Sequence, residues 1–261
     1  MKISVGVDPE LFVWGGKEFI NGSGLIPGTK KNPFPVNRGA VQVDGIALEF
    51  NTEPAEDKDT FAYNIGEVLS QLQSMIPYEL KAQPTISFNV ASLPAKDRIL
   101  GCDTDFNAWT DKSNPQPDEN LNFRTGAGHI HIGWTSNANI KSDEHRNMCI
   151  DLTKQCDFFL GLPSLLFDSD TDRRKLYGKA GAFRPKTYGV EYRVLSNMWV
   201  NHPTLYPWIF NACHNAVHTL IQGIKMWEKY TDLENIINYS DVDKATEIIN
   251  NEKQYLEMPH V

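Results

Sequence analysis

The chain has 261 residues, of which 41% are hydrophobic and 22% are charged, as in an ordinary globular protein. Its formal net charge of -8 disfavours nucleic acid and anionic membrane surfaces as partners, so an anionic ligand would need a local cationic pocket. No apolar run approaches the roughly 20 residues that span a bilayer. None of the four cysteines lies in a C-x-x-C pair and no signal-peptide pattern opens the chain, so we expect a cytoplasmic protein with reduced thiols.

The first half of the chain begins with a predicted strand over 3–14, which contains Asp8-Pro9-Glu10. Because proline cannot donate to a ladder, we expect the middle of this strand to meet a site rather than a second strand. Glycine, proline and asparagine predict a long loop over 21–38, and alternating apolar residues predict one strand over 41–52. Apolar residues at three- and four-residue spacing then predict a helix from Pro54 to Ile76, followed by a strand over 82–90.

The second half begins with a polar loop over 101–122 and a short strand over 128–134. A helix over 141–167, with Ser142 as its N-cap, precedes a charged loop over 168–179 and a strand over 188–195. The C-terminal part, about 203–261, is predicted to be helical, over 203–230 and 242–254. Strands mixed with long helices and loops, without regular βαβ spacing, predict an α+β fold with a mainly antiparallel sheet in a single domain, 1–261.

Polar residues recur two apart at the centres of four predicted strands, where side chains at i and i+2 point to one face. Asp44 lies five residues before Glu49 and can share its face only if Gly45 makes a bend. A single pair of this kind is usually the solvated face of a strand. The four pairs are Asp8 and Glu10, Glu49 and Asn51, His129 and His131, and Glu191 and Arg193.

These pairs are richer in Asp, Glu and His than solvated strand faces usually are. Carboxylates crowded on one face repel each other unless a cation lies among them. Oxygen ligands with one imidazole suit Mg²⁺ or Mn²⁺ better than a structural Zn²⁺. The pattern therefore favours a divalent-metal site, with a solvated strand face as the alternative.

A cationic run lies over 172–186 of this acidic chain and could contact phosphate, since the arginine fork suits phosphoryl oxygens. A solvated loop is the alternative. Lys30 and Lys31, after Gly28 and Thr29, are a second and weaker candidate for a phosphate contact. The cations of the run are Arg173, Arg174, Lys175, Lys179, Arg184 and Lys186.

Five phrases, spread over roughly residues 3 to 200, resemble the phage-encoded carboxylate–amine ligase family (COOH–NH2 ligase, type 2), within the glutamine synthetase and glutamate–cysteine ligase superfamily. In chain order they are DPE, VDGIALEFNTEP, GHIHIG, RRKLYGKAGAFRPK and YGVEYRVLSN. The resemblance implies a curved, funnel-like antiparallel sheet, with helices on its outer face and two or three divalent ions beneath ATP. The chain departs from larger relatives in its shortness and in having Asp8 where they often carry glutamate.

The resemblance also implies roles for individual residues. Metal ligands would be Asp8, Glu10, Glu49, His129 and Glu191, with Asp8 and Glu10 facing different ions. Phosphate contacts would be Arg173, Arg174, Lys179, Arg184 and Arg193, of which Arg184 and Arg193, with Glu191, would serve the reaction directly. Substrate-facing candidates are Asp44, which could also join the metal ligands, together with Asn51 and His131.

The implied reaction is ATP-dependent amide formation between a small-molecule or peptide carboxylate and an amine, through an acyl phosphate, in the host cytoplasm if a bacteriophage encodes the chain. A homo-oligomer formed through the aromatic helix near the C-terminus is an open alternative to a monomer. Two rival functions remain at this point. A metal-dependent hydrolase or phosphotransferase would use the same sheet, and a non-catalytic binding module would use metal only to stabilise the strands.

Overall fold

The computed structural model describes residues 2–88, 93–94, 97, 105–115 and 122–259. The predicted strand 82–90 and the predicted loop 101–122 are therefore described only in part, and Cys102 lies outside these ranges. Cys149, Cys156 and Cys213 are buried free thiols. Within the described residues, no helix is both long and apolar enough to cross a membrane.

Strand β1 (Ser4–Gly15) organises the sheet because it pairs with four other strands along its length. Residues 4–9 run antiparallel to β11 (Gly128–Gly133), and residues 10–11 pair with β5 (Ala47–Thr52). The end of β1 pairs with β2 (Glu18–Ile20) and β6 (Glu79–Lys81). The expectation that proline would keep the middle of this strand from pairing was wrong, since Pro9 lies in register with Gly128.

Eleven of the described strands form one sheet with the order β3-β4-β5-β1-β11-β13-β12-β8-β9, from which β2 and β6 extend at β1. Each strand pair in this sheet is antiparallel. A separate antiparallel pair consists of β7 (Thr85–Ser87) and β10 (Phe123–Thr125). The remaining strands are β3 (Phe34–Val36), β4 (Gly39–Asp44), β8 (Phe106–Asn107), β9 (Lys112–Ser113), β12 (Ala182–Lys186) and β13 (Gly189–Tyr192).

The longer helices pack against the apolar face of the large sheet, and two of them begin at side-chain caps. Asp57 accepts hydrogen bonds from the backbone N–H groups of Asp59 and Thr60 at 3.1 and 2.8 Å, which starts the first helix. Ser142 caps the second, as the sequence predicts. The helices are α1 (Lys58–Ser74), α2 (Asp143–Cys156), α3 (Thr171–Leu176), α4 (Leu205–Ile221), α5 (Met226–Lys229), α6 (Leu233–Asn238) and α7 (Val242–Asn251).

Three shorter helical segments lie between these helices. Helix α2 continues through a π-helical turn, Asp157–Gly161, and a short helical turn, Leu162–Ser164. A 3-10 helix, Asn197–Asn201, follows β13.

Alternation along the strands separates an apolar face from a polar one. On β1, Val5 and Val7 belong to a hydrophobic cluster that extends across the sheet into α1, α2 and α4, whereas Asp8 and Glu10 line a cavity on the other face. The same alternation places Ile130 and Ile132 of β11 in the cluster. The prediction of an α+β fold with a mainly antiparallel sheet is confirmed, and the glutamine synthetase-like topology stays a prediction.

The predicted single strand over 41–52 is a hairpin, so that prediction was wrong. Strands β4 and β5 pair antiparallel, with Gln42 opposite Glu49 and Asp44 opposite Ala47. Gly45 turns the chain with a φ of 59°, a conformation that glycine adopts at little cost. The bend that the sequence required for Asp44 to reach Glu49 is therefore a complete reversal of the chain.

Three further predictions need correction. The charged segment 168–179 contains α3, because Asp170 accepts hydrogen bonds from the backbone N–H groups of Asp172 and Arg173. The helix predicted over 203–230 divides into α4 and α5 at a turn in which Gly223 has a φ of 76°. The third is the prediction of loops over 21–38 and 101–122, since the first contains β3 and the second contains β8 and β9. Strands β2, β6, β10 and β12 were not predicted, and α6 was not predicted as a separate helix within the helical C-terminal part. These elements are too short to show a clear period.

Candidate functional site

A cavity of about 560 Å³ lies over the polar face of the large sheet. Six neighbouring strands line it, so side chains that are far apart in sequence converge there. The sheet contributes Gln42 and Asp44 from β4, Glu49 and Asn51 from β5, Ser4, Gly6, Asp8 and Glu10 from β1, His129, His131 and Gly133 from β11, Glu191 from β13, and Arg184 and Lys186 from β12. Lys30, Tyr177, Tyr188 and Arg193 complete its polar lining.

Asp8, His129 and Glu191 form the first candidate metal-ligand group, with one ligand atom of each lying within 4.8 Å of the others. The Nδ1 atom of His129 is 3.3 Å from Oδ1 of Asp8 and 3.5 Å from Oε1 of Glu191. Its Nε2 atom is buried and has no hydrogen-bond partner among the described residues. Burial, together with the charge of Arg193, lowers the pKa of His129 to about 4, so this imidazole is neutral at pH 7 and able to bind a cation.

Glu10, Asp44 and Glu49 form the second group, again with ligand oxygens within 4.8 Å of one another. Burial and the neighbouring charge of Asp44 raise the pKa of Glu10 to about 7. Burial also raises the pKa of Glu49, and the charges of Asp8, Asp44 and Glu10 raise it further. Three carboxylates at this spacing repel one another, and a divalent cation would relieve that repulsion.

The opposite side of the cavity is cationic and is centred on Glu191, whose side chain is only 1% exposed. Arg193 contacts Oε1 of Glu191 through Nη1, and Lys186 contacts Oε2 at 2.7 Å. Arg184 lies 3.3 Å from each carboxylate oxygen. Asp105 accepts a 3.1 Å hydrogen bond from Nε of Arg193, which fixes this guanidinium. The cavity therefore has three clustered cations on one side and three carboxylates on the other.

The substrate-facing candidates Asp44, Asn51 and His131 all line the cavity. The Nε2 atom of His131 is 3.0 Å from Oδ2 of Asp8, and its Nδ1 atom contacts the hydroxyl of Tyr188. Burial works against protonation of His131, but the charges of Asp8 and Glu191 outweigh it and raise the pKa of this histidine. The surroundings of the two histidines of this strand therefore shift their pKa values in opposite directions.

The structure does not bring Arg173, Arg174 and Lys179 to the cavity. The guanidinium of Arg173 donates to the carbonyl oxygens of Val194 and Leu195 at 2.6 and 2.8 Å. Arg174 donates to the carbonyl oxygens of Asp168 and Asp170 at 3.2 and 2.7 Å. Both arginines are 1% exposed. This arrangement gives them a structural role behind the site, so neither they nor Lys179 belong to the site proposed below.

Sequence analysis missed several residues that complete the site. Lys186 was noted only as part of the cationic run, and Lys30 only as a weak phosphate contact, although both line the cavity. Tyr188 could have been found as the first residue of the strand predicted over 188–195, three residues before Glu191. Asp105 gave no signal, because it lies in a segment without periodicity and meets Arg193 only in the folded chain.

Gly128 explains how His129 is held at the floor of the cavity. A Cβ atom on Gly128 would lie 2.2 Å from the carbonyl oxygen of Ser196. A larger residue would therefore push the start of β11 away from the segment that contains Ser196. The indole of Trp199 donates a 3.2 Å hydrogen bond to the carbonyl oxygen of Gly128. Close backbone packing at this position therefore fixes the start of β11 and the histidine that follows it.

The donor sets of the two groups fit Mg²⁺ or Mn²⁺. Together they offer five carboxylates and one neutral imidazole, and hard divalent ions prefer oxygen ligands. In the first group the neutral His129 turns Nδ1 towards both carboxylates, at 3.3 Å from Asp8 and 3.5 Å from Glu191. Five of these six residues are the metal ligands expected from the sequence, and Asp44 is the sixth.

Residues 114–228 match the family model described as phage phiEco32-like COOH-NH2 ligase-type 2. The matched segment includes β11, β12 and β13 with His129, Arg184 and Glu191, and it excludes the ligands on β1, β4 and β5. No curated protein matches the chain. The matched segment is less than half of the chain, and it supports the resemblance to carboxylate–amine ligases at the cationic side of the site.

Proposed function

We propose that this protein is an ATP-dependent carboxylate–amine ligase that uses two divalent metal ions, Mg²⁺ or Mn²⁺. The observation that carries the proposal is the convergence, in one cavity, of two metal-ligand groups and a cluster of three cations. The family match over residues 114–228 supports the same class of reaction. A third bound ion would appear as a higher metal stoichiometry in the titration below.

The proposed chemistry begins with a carboxylate, which is a poor electrophile. One oxygen of the substrate carboxylate attacks the γ-phosphorus of ATP, and the bond between this phosphorus and the bridging oxygen of the β-phosphate breaks. The products of this step are ADP and an acyl phosphate. The amine nitrogen then attacks the acyl carbon, the bond to the phosphate oxygen breaks, and the amide forms with loss of a proton. Divalent ions bound to the two groups would neutralise the phosphate oxygens during the first step.

The cationic side of the cavity is suited to the transferred phosphoryl group. Arg184 and Lys186 lie on β12 and project into the cavity beside Glu191, while Asp105 holds the guanidinium of Arg193. Fixed cations stabilise developing negative charge without reorganising during the reaction. We therefore assign transition-state stabilisation to Arg184 and Arg193. Glu191 has two roles, as a metal ligand and as the anchor that spaces these cations.

The proposed partners are a small-molecule or peptide carboxylate and an amine. Asn51 and His131 line the cavity and are assigned to substrate contact. The loop over 21–33 forms part of the rim, since Lys30 lines the cavity, and loops of this kind commonly set specificity. Cytoplasmic location and the oligomeric state remain predictions from the sequence.

The first experiment titrates Mg²⁺ or Mn²⁺, with a non-hydrolysable ATP analogue, into the wild-type protein and into Glu10→Gln. Glu18→Gln is the matched control, because Glu18 is an exposed glutamate on β2, outside the cavity. The proposal predicts metal-dependent nucleotide binding that Glu10→Gln weakens and Glu18→Gln leaves unchanged. Absence of nucleotide binding with either metal, in a folded protein, would contradict the ATP-dependent reaction.

ADP release then separates the ligase from its rivals. A ligase releases ADP only when a carboxylate and an amine are both present, and it forms an amide. A phosphotransferase stops at a phosphorylated acceptor, a hydrolase forms ADP without an acceptor, and a binding module forms none. Pools of amino acids and short peptides can supply both substrates for the first screen.

A further inference from the structure

Lys30 contacts the second metal-ligand group from a loop rather than from the sheet. The N–H of Asn32 donates to the carbonyl oxygen of Thr29 at 3.0 Å, and the N–H of Thr29 donates to the carbonyl oxygen of Asn32 at 3.1 Å. These two bonds close a tight turn that contains Lys30. The N–H of Val43 donates to the carbonyl oxygen of Gly28 at 3.0 Å and fixes the turn to β4. The backbone at the start of the turn is therefore held at the rim of the cavity.

The ammonium group of Lys30 lies on one of the three carboxylates. Its Nζ atom is 2.8 Å from Oδ2 of Asp44, and its charge is also attracted to Glu10 and Glu49. The other cations that line the cavity, Arg184, Lys186 and Arg193, contact Glu191 on the opposite side. Among the residues that line the cavity, Lys30 is thus the cation paired with the second group.

A divalent ion bound to Glu10, Asp44 and Glu49 would compete with Lys30 for the same carboxylate oxygens. The side chain of Lys30 is 48% exposed, whereas that of Asp44 is 12% exposed. The lysine has a flexible stem of four methylenes and can move its charge into solvent or towards a bound ligand, whereas Asp44 is held in the β4–β5 hairpin. Displacement of Lys30 is therefore the easier rearrangement.

We propose that Lys30 occupies the position of the second divalent ion in the metal-free protein and is displaced when that ion binds. The displaced ammonium then lies at the rim of the cavity, where it contacts the phosphate groups of the substrate ATP. Lys30 is by this account a substrate-binding residue that becomes available only after metal has bound. The inference rests on the proposed function, because it takes Glu10, Asp44 and Glu49 as metal ligands.

Acylation of lysine amines measures the displacement directly. The wild-type protein is treated with a trace of acetic anhydride with and without saturating Mg²⁺ or Mn²⁺, and the modification of each lysine is read by peptide mass spectrometry. We expect the rate at Lys30 to rise severalfold with metal, because an amine that has left the Asp44 carboxylate is more accessible to the reagent. Lys31, the exposed neighbour, is the internal control and should not respond.

Asp44→Asn provides a second control for the same measurement. Lys30 should react rapidly in this variant without metal, since the carboxylate that holds it is gone, and metal should add little. An unchanged or lower rate at Lys30 in the wild-type protein on metal binding would overturn the inference, because it would mean that the lysine stays on Asp44.

Binding measurements test both parts of the inference, because Lys30→Met should change the metal affinity and the nucleotide affinity in opposite directions. Lys30→Met should tighten Mg²⁺ or Mn²⁺ binding in the absence of nucleotide, by about tenfold or more, because a competing unit charge at short range is removed. The same variant should weaken binding of the ATP analogue in saturating metal, and Lys31→Met should change neither. Unchanged or weaker metal binding, or unchanged nucleotide binding, in Lys30→Met would count against the inference.

Failure of this inference can be distinguished from failure of the proposed function. If metal and nucleotide bind to the wild-type protein but Lys30 does not respond, the displacement is wrong and the ligase proposal stands. If calorimetry detects no metal binding in the wild-type protein, the metal sites themselves are wrong and both proposals fall together.

Discussion

Asp8 and Glu10 lie two residues apart on one face of β1, yet they belong to different metal-ligand groups. Asp8 joins His129 and Glu191, whereas Glu10 joins Asp44 and Glu49. The division arises because β1 lies between β11 and β5 in the sheet. Asp8 is in register with His129 of β11 on one edge, and Glu10 is in register with Glu49 of β5 on the other. One strand therefore places its two carboxylates in two separate candidate metal-ligand groups.

This arrangement predicts that Asp8→Asn and Glu10→Gln each remove one metal ion and leave the other. Each change replaces a charged ligand oxygen with a neutral amide in only one of the two groups. Mn²⁺ stoichiometry, measured by equilibrium dialysis with metal analysis, should fall by about one ion per chain in each variant. Loss of all bound metal in either single variant would contradict two independent groups, and Glu18→Gln should retain the wild-type stoichiometry.

A second prediction contrasts two arginines of the same cationic run. Arg173→Ala should lower the free energy of unfolding by on the order of 3 kcal/mol, because the carbonyl oxygens of Val194 and Leu195 lose buried donors. Arg184→Ala should change stability much less, since Arg184 lines an open cavity, but it should weaken binding of the ATP analogue. Denaturant unfolding and nucleotide titration of the folded fraction separate the two effects.

The reverse outcome for this pair would be informative. If Arg173→Ala folded stably and lost nucleotide binding, Arg173 would contact phosphate rather than stabilise the fold. Arg173→Lys is the matched variant, because it keeps the charge but cannot reproduce the fork that reaches both carbonyl oxygens.

The third prediction concerns Asp157, which lies in the π-helical turn behind the sheet. It accepts hydrogen bonds from the indole of Trp109 at 2.7 Å and from the hydroxyl of Tyr192 at 2.8 Å. Burial nevertheless raises its pKa to about 7. Between about pH 4 and pH 7 the folded protein would hold a proton on this residue that the unfolded chain has released.

The sign of the pH dependence follows from that proton. The contribution of Asp157 to stability should be fully present below about pH 4 and should be lost as the pH rises through about 7, by up to roughly 4 kcal/mol. Unfolding free energies of wild type and Asp157→Asn, measured from pH 4 to pH 8, isolate this contribution as their difference. A difference that does not depend on pH would show that Asp157 is ionised throughout, stabilised by its donors.

A fourth prediction concerns the β4–β5 turn. Gly45→Ala should destabilise the protein by roughly 1 kcal/mol, since alanine is strained at the positive φ of this residue. The effect should be larger on the affinity of the second metal than on that of the first, because only the second group includes Asp44. Equal weakening of both metal affinities would contradict this local effect.

Much of the cavity could be predicted from the strand period alone. Residues two apart on a strand share a face, so His129 and His131, or Glu191 and Arg193, had to point the same way once the strands were recognised. The resemblance to a ligase family added the expectation that Asp8 and Glu10 would face different ions. The structure places both pairs along the same cavity, and it places Asp8 and Glu10 in different candidate groups. That these two residues bind different ions stays a prediction.

The cationic run shows where such prediction fails. Charge density alone could not distinguish Arg184 from Arg173. Arg184 lies on a strand that faces the cavity, whereas the guanidinium of Arg173 donates to backbone carbonyl oxygens. That difference depends on α3, a helix of six residues that was predicted to be a loop. Asp105 and Lys30 could not be assigned either, since their partners are set by tertiary contacts between distant segments.

Oxygen transfer tests the central claim most directly. Pools of amino acids and short peptides labelled with ¹⁸O in their carboxylates are incubated with ATP, Mg²⁺ or Mn²⁺ and the protein, and the released phosphate is analysed by mass spectrometry. An acyl-phosphate ligase transfers one carboxylate oxygen to phosphate, so ¹⁸O should appear in phosphate in proportion to amide formed. Release of ADP with phosphate that contains no ¹⁸O, so that its fourth oxygen comes from water, would contradict the ligase and indicate a hydrolase.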